Sequence, residues 1–213
     1  MLDIIYPPRR PMCSTLINTG DDFCEDCHSK INFCNELYSI KECETCLSVC
    51  IYDENISNAV YTLKDRGGNA PYAFGKGMAE LLLKFGIAEK IDIIVPVPMY
   101  KSDKRKRGYN QTELIAKEIS HILNIGTNSK IVIKSQKTAH QKNLSVKERK
   151  VNLKDAFTVI NSDIVKGKNV LLVDDVCTTG STLSEISKIL KQNEVNEVFC
   201  CTYCHTVNTT YRR

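Results

Sequence analysis

The sequence predicts an α/β protein in which a doubly wound parallel sheet is joined to a small cysteine-rich module at the N-terminus. Two observations predict this arrangement. From about residue 55 onward, short apolar segments alternate with segments of helical periodicity. Before that point the chain is rich in cysteine, with seven of its eleven cysteines between Cys13 and Cys50. We therefore expect a module of residues 1–54 and a sheet domain of residues 55–213.

The composition is that of a globular protein. Hydrophobic residues make up 42% of the chain and charged residues 25%, which excludes wholesale disorder. No apolar run approaches the roughly 18 residues that span a membrane, and the N-terminal residues do not match the order of a secretory signal. We therefore expect a cytoplasmic protein with no membrane partner, whose cysteines bind metal rather than form disulfides.

Helices are predicted where apolar residues recur three and four positions apart. The first two lie on either side of KDRGGNAP, which indicates a turn. A third helix is predicted at residues 110–123 and a fourth at residues 181–192. The apolar positions of the first two helices are Ile56, Ala59, Val60 and Leu63, then Phe74, Met78, Leu81, Leu82 and Phe85.

Strands are predicted at four apolar segments, residues 91–98, 131–134, 169–173 and 195–203. Because these segments alternate with helices, we expect a parallel sheet with right-handed crossovers. In such a sheet, ligands bind beyond the carboxyl ends of the strands. The remaining long segment, residues 135–154, is polar and basic, and an irregular segment of that length is usually functional or mobile.

The third of these strands leads into VLLVDDVCTTGST, residues 170–182. It delivers Asp174 and Asp175 to the ligand-binding edge, where carboxylates hold hydroxyl groups or a magnesium ion. A turn of small residues then opens a helix, whose free N–H groups and dipole favour an anion. The ligand should therefore carry a phosphate beside a polyol, as ribose 5-phosphate does. The residues of this phosphate-binding turn are Thr178, Thr179, Gly180, Ser181 and Thr182.

This segment closely resembles the thirteen-residue signature of the type I phosphoribosyltransferases. The resemblance implies that the two acids bind the ribose hydroxyls and that the following loop binds the 5-phosphate of phosphoribosyl pyrophosphate. Three alternatives are considered. An ordinary strand-capping turn would need the motif's order and length to arise by accident. A receiver-type phospho-acceptor has its paired acids early in the chain, whereas these come late. A Walker-type loop needs a lysine before the serine, and this segment has none.

A second segment, PVPMYKSDKRKRGYNQTE, resembles the PVP...RRRGFNQ segment of the ComF family, a phosphoribosyltransferase-like group associated with bacterial competence. Five basic residues lie within seven positions, and such a turn suits a diphosphate leaving group with magnesium. The alternative is a solvated basic loop. The residues assigned to substrate binding here are Lys101, Arg105, Arg107, Gly108, Asn110 and Gln111, and the other basic residues are Lys104 and Lys106.

A third segment, residues 137–157, resembles the ComF pattern that corresponds to a flexible lid in phosphoribosyltransferases. The resemblance implies that the lid excludes water from the reaction and that Gln141, Arg149 and Asn152 are its catalytic residues. His140 is more simply an exposed histidine. The turn TLKDRGGN is similar to a Leu-Lys-aromatic-x-Gly pattern of the same family, so Lys64 either faces the site or is an ordinary surface lysine.

The cysteines form two Cys-x2-Cys pairs, Cys24 with Cys27 and Cys43 with Cys46, separated by fifteen residues, which predicts a tetrahedral zinc site. The ComF family commonly has four such pairs, and here Leu16 and Leu37 replace two of the cysteines. Pairing in family order would leave two trios: Cys13, Cys24 and Cys27, and Cys34, Cys43 and Cys46. Three alternatives stay open: a single four-cysteine zinc formed by the two intact pairs, a rearranged geometry in which Cys13 and Cys34 join, and loss of the metal. Five cysteines are predicted to be small buried hydrophobes: Cys50, Cys177, Cys200, Cys201 and Cys204.

Two functions are implied by these resemblances. The first is Mg²⁺-dependent transfer of a phosphoribosyl group from phosphoribosyl pyrophosphate to an unknown acceptor, in nucleotide metabolism or DNA uptake. The second is a non-catalytic module that senses phosphoribosyl pyrophosphate and binds single-stranded DNA alongside helicase-type competence proteins. Tyr100 and Tyr109 are the aromatic residues beside the basic run, so stacking platforms for bases are scarce.

Overall fold

The computed structural model describes residues 9–16, 22–34, 37–65, 68–136 and 156–207. Gln141, Arg149 and Asn152 lie outside these residues. No helix in the described part of the chain is long and apolar enough to cross a bilayer. The described helices of five residues or more are α1 (Glu25–Ser29), α2 (Glu54–Asp65), α3 (Ala70–Lys84), α4 (Lys101–Arg107), α5 (Gln111–Leu123) and α6 (Ser181–Gln192).

The strands form one five-stranded sheet and one separate pair. The main sheet has the order β1-β2-β7-β6-β3, in which β1 is antiparallel to β2 and all other neighbours are parallel. This arrangement confirms the α/β class. The strands are β1 (Leu37–Tyr38), β2 (Thr45–Ile51), β3 (Ile93–Pro96), β4 (Val132–Lys134), β5 (Phe157–Val159), β6 (Val170–Cys177) and β7 (Val198–His205).

The apolar run of β6 is buried on both faces, as a central parallel strand requires. Leu171 and Val173 pack into the cluster that holds α2, α3 and α5, whereas Val170 and Leu172 pack into the cluster on the α6 face. Helices therefore cover both faces of the sheet. The carboxyl ends of β3 and β6, which pair in register from Ile93 with Val170, meet at one edge.

The first 54 residues are not a unit apart from the sheet. β2 lies within them and pairs in parallel with β7, with Cys46 opposite Cys200 and Cys50 opposite Cys204. The five central residues of β2 are buried, which is why this segment is a strand of the main sheet. The boundary at residue 54 therefore needs correction, because residues 45–51 share the core of the larger domain.

The strand predicted at residues 131–134 also differs in its pairing. It forms β4, which pairs antiparallel with β5, and the two make a separate two-stranded sheet. The sequence does not predict β5, because its three residues come after the long polar segment and give no pattern of their own. β4 and β5 border residues 137–155 on either side.

Candidate functional site

Strand β6 carries the acid pair, and it continues past both carboxylates. The sequence predicts a strand that ends at Val173, but pairing with β7 extends to Cys177 opposite His205. Asp174 lies opposite Thr202 in this register. Both acids are therefore held by a regular strand rather than by a loop, and Asp175 is buried.

Asp175 is the centre of a charged and hydrogen-bonded network. Lys64, from the end of α2, places its Nζ 3.0 Å from Oδ2 of Asp175, and Gln111 Nε2 donates to the same oxygen at 3.4 Å. Burial opposes ionisation of Asp175, but the ammonium of Lys64 more than offsets it and holds the pKa of this carboxyl below its ordinary value. Lys64 therefore faces the acid pair, and Asp175 is the ionised member.

Asp174 has the opposite electrostatic character. Burial, followed by the negative charge of Asp175, raises its pKa well above the ordinary value. Two adjacent carboxylates thus share one site with their pKa values pushed apart. Such a pair suits a ligand that brings hydroxyl donors or a cation to the second carboxylate.

Lys134, at the end of β4, is a site residue that the sequence analysis missed. Burial lowers its pKa, while the negative charges of Asp103 and Asp174 act in the opposite direction, so Lys134 is electrostatically coupled to both carboxylates. Its Nζ lies 5.7 Å from the ring centroid of Phe157. The available signal was a lysine ending the otherwise apolar run Ile131–Val132–Ile133, beside the long polar segment.

The turn after β6 forms the other half of the site. Gly180 has φ +68° and caps α6, and a Cβ there would lie 3.1 Å from the side chain of Ile40, so both conformation and space require glycine. The Oγ atoms of Thr179 and Ser181 lie 2.8 Å apart, and Thr206 Oγ1 donates to the carbonyl of Thr178 at 3.0 Å. Asp174, Thr178, Thr179, Gly180, Ser181 and Thr182 line one small cavity of about 40 Å³.

The basic segment, which the sequence predicts as a loop, forms helix α4. Gly108, with φ +88°, ends this seven-residue helix. Its charges divide into two groups. Lys104 Nζ lies 2.8 and 2.7 Å from the carboxylate oxygens of Glu113, and Arg107 donates to Gln111, which in turn donates to Asp175. Three other basic side chains are exposed: Lys101, Arg105 and Lys106.

Asn110 is buried and holds the backbone together. Its side chain caps α5 by accepting from Thr112 N at 3.3 Å and donates to the Val97 carbonyl at 3.1 Å. Tyr109 donates to the Leu63 carbonyl at 2.7 Å, next to Lys64. These bonds fix the end of β3, the start of α5 and the end of α2 around Asp175, so the described contacts of Asn110 are structural.

Comparison with known proteins identifies the family. The model of the phosphoribosyl transferase domain matches residues 79–213. The chain belongs to this family. Competence protein F of Haemophilus influenzae is 43% identical over 108 residues, which are 50% of this chain and 47% of that protein. DNA utilization protein YhgH of Escherichia coli (strain K12) is 38% identical over 116 residues, 54% of this chain and 50% of that protein.

These relatives confirm the resemblance to the ComF group of phosphoribosyl transferase domains. Competence protein ComFC of Bacillus subtilis is 27% identical over 147 residues, 67% of this chain and 56% of that protein. The chain spans about half the length of the curated relatives it matches. Among solved structures, adenine phosphoribosyltransferase from Saccharomyces cerevisiae is 20% identical, with 63% of this chain and 69% of that chain covered and a TM-score of 0.41.

The phosphoribosyl transferase match includes the acid pair, the turn and α4, but not the cysteines of the N-terminal segment. Within the described residues, Cys13, Cys24 and Cys27 bring their Sγ atoms within 4.8 Å of one another. Tetrahedral zinc with Zn–S bonds near 2.3 Å separates its sulfur ligands by about 3.8 Å, so the donor set fits three of the metal's four positions. Leu16 is exposed.

The other cysteines assigned to metal lie elsewhere. Cys43 Sγ is 3.1 Å from both Ser187 Oγ and Cys200 Sγ, and Cys46 is fully buried in the cluster beneath α6. Cys34 Sγ donates to the Ser48 carbonyl at 2.9 Å. The structure therefore separates the two Cys-x2-Cys pairs, because β2 draws the second pair into the sheet, and within the described residues it brings together Cys13, Cys24 and Cys27.

Proposed function

We propose that the protein binds phosphoribosyl pyrophosphate with Mg²⁺ at the carboxyl end of β6 and transfers the phosphoribosyl group to an acceptor. The observation that carries this proposal is the pairing of an ionised Asp175 with a turn that opens α6, on one continuous strand. Membership of the phosphoribosyl transferase family supports it. We place this activity in the cytoplasm, where the free thiols of the chain stay reduced.

Each part of the site has a defined task in this proposal. The carboxylates of Asp174 and Asp175 accept the ribose hydroxyls, and Ser181, Thr182 and the N-terminal N–H groups of α6 bind the 5-phosphate. Mg²⁺ supplies positive charge that neutralises the diphosphate, and carboxylate oxygens are the donors it prefers. The rate then comes mainly from positioning and charge stabilisation.

The diphosphate requires positive groups, and the structure brings several to the acid pair. Lys64 forms an ion pair with Asp175, and Lys134 is electrostatically coupled to Asp174. Arg107 is linked to Asp175 through Gln111. Ligand binding would release Lys64 from Asp175 to the diphosphate. Gln141, Arg149 and Asn152 lie outside the described residues and stay predicted as lid residues from the family resemblance alone.

Thermal unfolding with added ligand tests the proposal. Phosphoribosyl pyrophosphate with Mg²⁺ is expected to raise the Tm of the wild type by several degrees, because a ligand that binds only the folded state stabilises it. Asp175→Asn should abolish this shift. Asp163→Asn, a surface carboxylate on another segment, is the matched control and should retain it. A wild type with no shift would reject the site.

A second function is favoured by the exposed half of α4. Arg105 and Lys106 point to solvent while their neighbours Lys104 and Arg107 are paired within the protein. Exposed positive charges on one short helix suit a phosphate backbone. We propose that this surface binds single-stranded DNA, with the acid pair sensing phosphoribosyl pyrophosphate, as the competence and DNA utilization relatives suggest.

Fluorescence anisotropy with an oligothymidylate tests this second function. Affinity should fall steeply with salt, and Arg105→Gln with Lys106→Gln should reduce the salt slope by roughly two charges. The control removes two surface charges from α6, Lys188→Gln with Lys191→Gln, and should leave the slope unchanged. A salt-independent affinity, or equal loss in both double variants, would argue against this surface.

We also propose that Cys13, Cys24 and Cys27 bind a structural zinc ion. Their thiols are the described donors close enough to share one metal. Zinc would tie the residue 9–16 segment to α1, two segments that have little core between them. Zinc content compared between Cys27→Ser and Cys46→Ser tests this assignment, because only the first substitution removes a member of the trio.

A further inference from the structure

Cys34 and His205, which are 171 positions apart in the chain, meet at the carboxyl end of β7. Cys34 Sγ lies 3.6 Å from Nδ1 of His205, and both side chains are half-buried. Backbone pairing sets this meeting, because Cys34 N donates to the Val49 carbonyl at 3.0 Å and His205 lies opposite Ile51 in the register of β2 with β7. Cys34 is not among the three thiols that cluster for a metal.

The thiol of Cys34 has two neighbours of different chemistry. Its Sγ donates to the Ser48 carbonyl at 2.9 Å and also lies within hydrogen-bond distance of the His205 imidazole. A carbonyl oxygen accepts a hydrogen bond but does not remove the proton, whereas an imidazole can take it. The imidazolium formed in this way stabilises a thiolate, which is the nucleophilic form of cysteine.

The ring of His205 is oriented by its neighbours. It stacks on Tyr38, with ring centroids 5.0 Å apart and an interplanar angle of 27°, and the Tyr38 hydroxyl is 2.7 Å from Ser48 Oγ. The carbonyl of His205 accepts from Tyr52 N at 2.8 Å. These contacts restrict the imidazole while its Nδ1 stands beside Cys34. A base that is oriented next to a thiol is the arrangement that activates a nucleophilic cysteine.

The other titratable groups at this end of β7 keep their protons. Burial, followed by the charge of Cys34, raises the pKa of Cys201. A hydrogen bond with Cys50, together with burial, raises the pKa of Cys204, and burial raises that of Tyr203. His205 is therefore the group of this strand that can accept the Cys34 proton at neutral pH.

Cys34 lines a cavity of about 190 Å³ between the cysteine segment and the α3 face of the sheet. Gly77 also lines it, and a Cβ there would stand 3.2 Å from Tyr203, so the missing side chain keeps this space open. The cavity shares no lining residue with the one at Asp174 and the α6 turn. It has room for a small adduct on Cys34, and its charged or titratable lining groups are of both signs: Asp22, His28, Glu80 and Lys84.

We propose that Cys34, with His205 as its base, is a nucleophilic thiol that exchanges with low-molecular-weight disulfides. The imidazole takes the thiol proton, the thiolate attacks one sulfur of the disulfide, and a mixed disulfide forms on Cys34 as the S–S bond of the small molecule breaks. The departing thiolate takes the proton from His205 and leaves as a thiol, so the small disulfide is the oxidant. This inference goes beyond the proposed transferase function, because the exchange needs neither phosphoribosyl pyrophosphate nor the acid pair.

Alkylation of the full chain by iodoacetamide tests the proposal, with peptide mass spectrometry to follow each thiol separately. At pH 7, Cys34 should react at least about tenfold faster than Cys43, which is also half-buried but whose pKa is raised by its hydrogen bond with Cys200 and by burial. His205→Gln should slow Cys34 about tenfold, as a loss of one pKa unit of activation would, and leave Cys43 unchanged. Its control is His121→Gln, an exposed histidine on α5, which should change neither rate.

The pH profile of the wild type decides the question if His205→Gln does not fold. The midpoint of Cys34 alkylation should lie below the ordinary thiol value of about 8.5. The neutral reagent 2-hydroxyethyl disulfide should form an adduct at Cys34 that dithiothreitol removes, and Asp175→Asn should form it as the wild type does, whatever the outcome at the acid pair. A Cys34 no faster than Cys43, an ordinary or higher midpoint, an unchanged rate in a folded His205→Gln, or no disulfide adduct at Cys34 would overturn the proposal.

Discussion

The two Cys-x2-Cys pairs have the same spacing and different environments. Cys24 and Cys27 lie at the five-residue helix α1, where their thiols meet Cys13. Cys43 and Cys46 precede and enter β2, where their thiols meet the core beneath α6. The difference arises from the element that each pair begins, because the first starts a short polar helix and the second starts a buried seven-residue strand. Spacing alone therefore does not make a metal site.

The ionisation of the thiols differs between the two regions at Cys13. Burial opposes ionisation there, but hydrogen bonds with Thr15 lower the pKa of Cys13 to about 7. Burial raises the pKa of Cys46 to about 11, and a hydrogen bond with Cys200, together with burial, raises that of Cys43 further. These two are neutral, apolar groups. Burial and the neighbouring thiols of Cys24 and Cys13 raise the pKa of Cys27 to about 12, and a bound cation would reverse this by favouring thiolates.

The largest expected effect is on metal content. Cys27→Ser should lower zinc from about one ion per chain to near zero, because it removes one of three clustered ligands. Cys46→Ser should retain the metal, since that thiol is in the sheet. Elemental analysis of both proteins after gentle purification measures this. A zinc-free wild type, or zinc lost with Cys46 and kept without Cys27, would contradict the assignment.

The second-largest expected effect is on stability, and here the second Cys-x2-Cys pair is the more sensitive of the two. Cys46→Ser places a hydroxyl at a position with 0% exposure and should lower the free energy of unfolding by about 2 kcal/mol. In protein stripped of metal, Cys24→Ser should change it by less than about 0.5 kcal/mol, because this position is partly exposed. Urea denaturation monitored by circular dichroism compares the two. Equal losses would mean that the first pair also has a packed core.

The smallest effect extends the comparison from thiols to the carboxylates of the same sheet. The pKa of Asp174 is raised in the folded protein by burial and by Asp175, so its contribution to stability is lost as pH rises through that folded value. Asp174→Asn removes the ionisable group and should raise the free energy of unfolding at pH 8 by about 1 kcal/mol.

The Asp174→Asn gain should shrink as the pH falls from 8 through the raised pKa of Asp174, because the wild-type carboxyl then carries its proton. Urea unfolding across this pH range measures the gain, with Asp163→Asn as the surface control. If Asp174→Asn were less stable than the wild type at pH 8, the Asp174 carboxylate would not destabilise the ligand-free fold. The same variant should lose the stabilisation by phosphoribosyl pyrophosphate.

The sequence was informative where a local pattern determines the structure. Helices α2, α3, α5 and α6 match their apolar periodicity, and the acid pair with its glycine turn is readable because one strand and one helix start supply all its parts. Lys64 needed a resemblance to be noticed, since its partner lies more than a hundred positions away. The prediction succeeds for residues 170–173 of β6, which are all apolar, and misses the rest of the strand, which contains the two acids.

Features made by distant segments were not predictable in the same way. Nothing in TCLSVCI says that it pairs with residues near 200, so the sequence alone assigns β2 to the module. Lys134 gains its meaning from Asp103 and Asp174, which the sheet brings close. One cavity is lined by Phe23, Glu80 and Tyr203, which come from three separate segments. Sequence periodicity does not predict that these residues meet.

In the ligand-free structure, the ammonium of Lys64 neutralises the carboxylate of Asp175. Under the proposed function, a cation or hydroxyl arriving at Asp175 would enter by exchange, displacing the Lys64 ammonium. The displaced group stays tethered by α2 within reach of the negative charge that the same ligand would bring. Lys64 thus neutralises the acidic end of β6 without a ligand, and the affinity for the proposed ligand would be the difference between two partners of one carboxylate.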